Sequence, residues 1–303
     1  EVIFTASDAG GNILYRESPI SNISFGSTNT LISGGTFNNA TSTKQNYLNE
    51  IVILAGNGST AVGVLSSNGS YALNFDGIND PALVDYVNCQ NSSSADISSA
   101  ITLEAWVRSD VQGTQSIIKK NTSTAGYELS LSNNTGAGLP QNFFFRLNGS
   151  GSDTYRVNST SYYPIDGTWA HVAATYDGSV MKLYVNGVQE GGDIPGPASI
   201  IPATTSNLVI GTEPTALGTK SFNGSIDEVR LWNVARTAQE ILDNYNKEIT
   251  SAAGLVGRWG MNEGTGTATS NSGSGIGING TLMNGPVVGN GPLWVPGAPF
   301  NIA

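Results

Sequence analysis

From Ala72 to Tyr245 the chain reads as short apolar runs broken by Gly, Asn, Asp, Ser and Pro, the spacing of antiparallel strands rather than of alternating strands and helices. The predicted strands are Tyr71–Phe75, Ile101–Val107, Ser116–Lys119, Tyr127–Leu131, Asn142–Leu147, Trp169–Tyr176, Met181–Val185, Leu208–Gly211 and Ser225–Trp232. Between Met181–Val185 and the following Val-Gln-Glu, Asn186-Gly187 can take the positive φ angles that a two-residue type I′ hairpin requires. One helix is predicted. Thr237 and Glu240 form a Thr-x-x-Glu capping box, and Ile241, Leu242 and Tyr245 give the turns that follow an apolar face.

The two ends are less regular. Residues 1–70 show alternation only at Glu1–Thr5 and Ile51–Leu54, around a stretch rich in Gly, Ser, Thr and Asn, and read as a β-rich extension or small subdomain. Residues 250–303 are Gly-rich, without the Lys or the strand-to-helix context of a phosphate loop, and their Gly-rich runs read as turns.

Composition narrows the class. Charged residues are 12% of the chain, about half the usual share. With 23 acidic against 13 basic residues the formal charge is −10, and no basic cluster of the kind that binds phosphate backbones is present. Nucleic acid is therefore not an expected partner, whereas cations are favoured. Cys89 is the only cysteine, so neither an intrachain disulfide nor a cysteine-based zinc site is expected. No apolar run approaches the roughly 18–20 residues of a transmembrane helix, and the chain reads as a mature or excised ectodomain. Asn-x-Ser/Thr sequons open at several positions, Asn91 among them, and would carry glycans if the source were a secreting eukaryote.

Four phrases occur in a fixed order: LNFDG at Leu73–Gly77, LEAWVR at Leu103–Arg108, TWAHVAATYDG with LYVNG across Thr168–Gly187, and FNGSIDEVRLW at Phe222–Trp232 before the capped helix. Together they resemble the laminin-G-like, concanavalin A-like jelly-roll superfamily, familiar from bacterial secreted modules. The resemblance implies an all-β fold, an antiparallel two-sheet jelly-roll sandwich with one short helix near the C-terminal part and an added N-terminal β segment. It divides the chain into residues 1–70, a jelly roll over 71–249, and a C-terminal segment, 250–303, that completes or extends the sandwich or opens a next repeat.

The same resemblance implies calcium, a hard cation that takes about six to eight oxygens. Asp76 in Phe-Asp-Gly and Asp227 in Ile-Asp-Glu are the anchors. The family follows Phe-Asp-Gly closely with Asp-Tyr-Val; here the reading is FDGINDPALVDYV, so Asn79, Asp80 and Asp85 compete for a third ligand place. The simpler alternative is that Asp76 shapes a turn with Gly77 and Asp227 caps or pairs with Arg230. His171, without a second His, reads as a packed strand residue, and Trp106, Trp169, Trp232 and Trp259 as core. Tyr155, Tyr162 and Tyr163, in a loop-rich segment, are the surface candidates for stacking on a sugar.

Catalytic motifs are missing. Jelly-roll glucanases carry Glu-x-Asp-x-Glu or Glu-x-Asp-x-x-Glu on one strand, and neither occurs here. Asp227 and Glu228 are adjacent, and strand alternation aims such neighbours at opposite faces. The expected function is a non-catalytic, secreted or cell-surface binding or adhesion module that recognises carbohydrate or a glycosylated partner, with a largely structural calcium ion. A structural, self-assembling subunit (a homo-oligomer, a filament or an adhesin repeat), complemented by strands of residues 1–70, is a second reading. A glycan-degrading enzyme with an unrecognised site is the third.

Overall fold

The computed structural model describes residues 71–133, 141–149 and 153–298 in full, and before them the backbones of six strands. The chain divides into two compact units, Glu1–Ser70 and Tyr71–Ala303. In the first, β1 (Val2–Ser7), β2 (Ile13–Ser18) and β3 (Asn29–Ile32) form one antiparallel sheet in chain order. A second sheet in chain order joins β4 (Asn39–Gln45), β5 (Glu50–Gly56) and β6 (Thr60–Ser66).

The second unit is built from β7 (Tyr71–Asp76), β8 (Asp85–Asn88), β9 (Ile101–Ser109), β10 (Gln115–Asn121), β11 (Gly126–Ser132), β12 (Asn142–Leu147) and β13 (Arg156–Asn158). There follow β14 (Ala170–Tyr176), β15 (Val180–Val185), β16 (Val188–Pro195), β17 (Val209–Ile210), β18 (Asn223–Trp232) and the helix α1 (Ala238–Asn244). The tail adds β19 (Leu255–Trp259), β20 (Ala268–Thr269), β21 (Gly280–Asn284), β22 (Val287–Val288) and β23 (Leu293–Pro296). One sheet runs β13-β12-β11-β10-β17-β8-β21-β20 and the other β16-β15-β14-β9-β18-β7-β23, all antiparallel. The tail belongs to both, because β21 pairs with β8 while β19 and β23 pair with β18 and β7.

Period-two alternation explains the sandwich. On β11, Tyr127, Leu129 and Leu131 enter the core while Glu128 and Ser130 take the opposite face. The core joins Leu73, Val107, Ile118, Phe145, Val172, Ile226 and Trp259 from both sheets, each large side chain contributing about 1.5–3 kcal/mol on burial. The nine predicted strands are all present, and Asn186 (φ 49°) and Gly187 (φ 82°) make the hairpin turn. A side chain at position 187 would also meet Tyr245 and Leu242, 2.9 and 3.1 Å away, so the turn is packed under the helix end. The Thr237 hydroxyl accepts from Glu240 N, and the Glu240 carboxylate accepts from Thr237 N, the reciprocal cap that the sequence spells. Ile241 then packs on Ala173 and Tyr184, so α1 covers the outer face of the second sheet.

Candidate functional site

The loop between β7 and β8 gathers four of the predicted ligands at one edge of the sandwich. Gly77 has φ 70° and packs against Asn223, whose Nδ2 donates to the Asp76 carbonyl at 2.9 Å, fixing where the loop leaves the strand. Asp76 is exposed, and its Oδ1 accepts from Ile78 N at 3.0 Å. Asn79 Oδ1 accepts from Ser221 N (3.1 Å) and Asp80 Oδ1 from Ala82 N (2.8 Å), so both are engaged in holding backbone. Asp85 is buried and accepts from Asn284 Nδ2 at 3.0 Å. Burial pushes the Asp85 carboxyl up to about 6; the Asp76 charge adds to the push, against the hydrogen bonds from Asn284 and the Asp76 backbone.

Asp76 and Asp85 lie close enough to repel, and among the described residues neither is paired with Lys or Arg. No group of three or more His, Cys, Asp or Glu that could hold a metal occurs among the described residues. A cation here would complete its shell from amide and backbone oxygens and water, as calcium commonly does.

Asp227 stands apart from this loop, which corrects its pairing with Asp76. Asp76 faces Asn223 across the sheet, four residues before Asp227, about 13 Å of strand. Asp227 is fully buried, and its two oxygens accept from Glu228 N (2.7 Å) and Ala298 N (2.8 Å). Burial and the Glu228 charge push its carboxyl well up. Its role is to fasten the end of the tail to β18.

Alternation also fails here. A bulge shifts the register between Asp227, opposite Trp106, and Arg230, opposite Glu104, with Glu228 at φ 47°. The extra residue brings Glu228 into a buried ionic cluster. Arg230 Nη1 lies 3.2 Å from Glu104 Oε2 and its Nη2 2.9 Å from Glu228 Oε2; Arg258 also bonds Glu228, and Arg236 reaches Glu104 at 3.4 Å. His171 Nε2 stands 3.3 Å from Glu104 Oε2, and its ring lies beside both the Trp106 and Tyr245 rings, which stack on each other. Burial pushes Glu104 up, but the His171 hydrogen bond and the charges of Arg230, His171 and Arg236 outweigh it and hold the carboxyl at about 2. Burial lowers His171, with Glu104 pulling the other way.

The tyrosines separate. Tyr162 is exposed and Tyr155 packs partly against the core. Tyr163 is 4% exposed, and its hydroxyl donates to the carbonyls of Val107 and Thr168, so it is a core residue and not a surface candidate. Trp106, Trp232 and Trp259 are buried, and Trp169 is half-buried beneath Arg108.

A second charged row, unread in the sequence, crosses the outer face of the first sheet. Lys119 faces Glu128, Glu128 faces Arg146, and Arg146 faces Arg156 on successive strands. Lys119 also reaches Glu213 at 3.0 Å, Arg146 reaches Glu128 at 3.2 Å, and both arginines bond Asp153 at 3.0 Å. Arg156 stacks 4.0 Å over Phe144. The available signal was a charge at the outward position of otherwise apolar strands, as in Tyr-Glu-Leu and Phe-Arg-Leu.

The family model described as the concanavalin A-like lectin/glucanases superfamily matches residues 80–242, more than half the chain. The chain belongs to this superfamily. Pappalysin-1 of Mus musculus is 31% identical over 160 residues, 48% of this chain and 10% of its own length. Pappalysin-1 of Homo sapiens is 38% identical over 109 residues, 35% of this chain and 6% of its own. This superfamily member thus spans a tenth or less of the curated relatives it matches. A candidate carbohydrate-binding protein from Bacteroides ovatus ATCC 8483 shares the fold, with a TM-score of 0.57 and 20% identity over 84% of this chain and 69% of that one. Among the described residues no helix is long and apolar enough to cross a membrane.

Proposed function

We propose that this chain is a non-catalytic carbohydrate-binding module acting outside the cell or at its surface, with calcium pinning the loop between β7 and β8. The observation that carries the reading is the state of its buried glutamates. A glycoside hydrolase uses one carboxyl as acid and a second as base or nucleophile. Glu104 and Glu228 are locked by arginines, and Glu128 and Glu213 by Lys119 with Arg146 or Lys220. Burial raises Glu213, but the charges and hydrogen bonds of Lys119 and Lys220 bring it below its ordinary value. Glu104 and Glu213 are thus held ionised and unsuited to donate a proton at neutral pH.

The superfamily assignment and the described binding class of the Bacteroides ovatus protein support carbohydrate as the ligand class. For calcium, Asp76 and Asp85 would be the anchors, with oxygens of Asn79 and Asp80 available if their backbone bonds yield. The ion would offset the burial, and with it the Asp76 charge, that raise Asp85. The test is a glycan array run with calcium and with a chelator, using Asp76→Ala and Asp85→Asn as controls and sedimentation on the same sample. Calcium-dependent binding lost in both variants supports the reading. A well-folded, calcium-loaded protein that binds no glycan would sink it, and defined oligomers in that sample would favour an assembly subunit.

A further inference from the structure

Lys119 and Lys120 are adjacent on β10 and both fully buried, yet they meet different chemistry. Lys119 is held between two carboxylates, Glu128 and Glu213, and an ammonium between carboxylates is a plain ion pair. Lys120 points to the other side of the sheet, where Nζ lies 2.8 Å from the Asn91 carboxamide oxygen and 3.2 Å from Asp96 Oδ1. The carbonyls of Ala203 and Ser206 complete the pocket at 3.1 and 2.6 Å. An amine, a carboxamide and a carboxylate are thereby assembled around one nitrogen.

We propose that Lys120 and Asn91 join through an intramolecular isopeptide bond, with Asp96 moving the protons. Two further observations favour this over a passive contact. Asn91 Nδ2 donates to Thr204 O at 2.8 Å, which fixes the amide so that its oxygen faces the amine. The carboxamide carbon is one bond beyond an oxygen already in contact with the amine, and a small shift of the amine towards that carbon would bring the reacting atoms to the roughly 3–3.5 Å of a near-attack arrangement. Burial also lowers the Lys120 amine from its ordinary value, against the pull of Asp96, which increases the neutral fraction. Cys89, Ala95 and Tyr127 belong to the buried core, and the Tyr127 hydroxyl is bonded to Ala95 O.

The step balances without an added reactant. Asp96 takes a proton from the ammonium, and the Nζ lone pair attacks the Asn91 carboxamide carbon. The Nζ–C bond forms and the C–Nδ2 bond breaks. Of the two protons that Nζ sheds, one leaves with the amide nitrogen as ammonia; the second, held by Asp96, passes to that ammonia as ammonium and restores the carboxylate. Asn91 is exposed, so the ammonia has a way out. The bond spans 29 residues and ties the segment after β8 to β10, a covalent staple in a chain whose single cysteine cannot supply one. Asn91 also opens a sequon, and its amide nitrogen cannot both leave as ammonia and carry a glycan.

The experiment is mass spectrometry of the full chain, unfolded in denaturant after ageing at neutral pH, followed by tryptic mapping. The expected result is a deficit of about 17 Da, the mass of ammonia, and a branched peptide linking positions 91 and 120. An Asn-Gly succinimide has the same deficit, so the branched peptide decides. Lys120→Arg and Asn91→Ala should abolish the branched peptide, and Asp96→Asn should slow its formation at least tenfold. Wild-type protein at full sequence mass, with residues 91 and 120 in separate peptides, would overturn the proposal whether or not any variant folds.

Discussion

Two acidic regions of this molecule use the same residue types to opposite ends. In the cluster on the outer face of the second sheet, Glu104 and Glu228 are buried together with Arg230, Arg236 and Arg258, so their charge is met from within the chain. In the loop between β7 and β8, Asp76 and Asp85 approach each other, and among the described residues their hydrogen-bond donors are amide and backbone N–H groups. The electrostatic signs differ accordingly: Glu104 is held at about 2, while Asp85 is raised to about 6. A carboxylate paired internally holds the fold together, and one left short of positive charge is free to accept a cation from solution.

The comparison breaks most directly at Arg230. Replacing it with Met leaves Glu104 and Glu228 short of a partner and should cost about 3–5 kcal/mol in urea unfolding, as breaking buried pairs does. A loss under about 1 kcal/mol would show the cluster to be incidental. Glu104 is lowered on folding from 4.5 to about 2, so its contribution is present above pH 4.5 and is lost as pH falls towards 2. The Arg230→Met protein should therefore lose less stability across that window than the wild type.

Calcium sharpens the other side. At about 100 times its dissociation constant, calcium should stabilise the protein by about 2.7 kcal/mol, and Asp85→Asn should remove that gain. Asp85 is raised on folding from 3.8 to about 6, so without calcium its contribution runs the other way: stability grows as pH falls through 6. Protons should compete with the ion over the same range, and titration calorimetry at pH 7 and pH 5 should give weaker binding at pH 5. A calcium gain that survives Asp85→Asn would move the ion elsewhere.

Asp227→Ala separates the two regions. It should cost about 1–3 kcal/mol by leaving the Glu228 and Ala298 amides unpaired, while the calcium gain stays intact. If the variant loses the calcium response without losing stability, Asp227 belongs with the loop after all. Smallest is Thr237→Ala, which removes the helix cap beside Arg236 and should lower stability by about 1 kcal/mol in the same urea assay.

Elements whose signals are local were legible in the chain. Alternation marked the nine strands of residues 71–232, Asn186-Gly187 the hairpin, and Thr237 with Glu240 the helix start, because each depends on a few adjacent residues. The β strands of the tail were not, since pieces such as Ala268–Thr269 and Val287–Val288 carry too few residues for any period. Of the predicted ligands, Asp76 and Asp85 lie close together, whereas Asp227, grouped with them from its phrase alone, holds backbone elsewhere. Tyr163 was placed on the surface from its loop-rich setting, though its hydroxyl finds two carbonyl partners inside.

What the sequence by itself determined was the all-β character and the local turns and cap, because hydrophobic periodicity and turn chemistry act over a few residues, while the family was read from four phrases that resemble its members. Which carboxylates are neutralised was decided only by the tertiary structure. Arg230 meets Glu104 from 126 residues away, Arg258 meets Glu228 across 30, and a single bulge residue turns Glu228 towards both arginines. Charge pairing depends on distance in space, and a distance between strands far apart in the chain exists only once the sheets have formed.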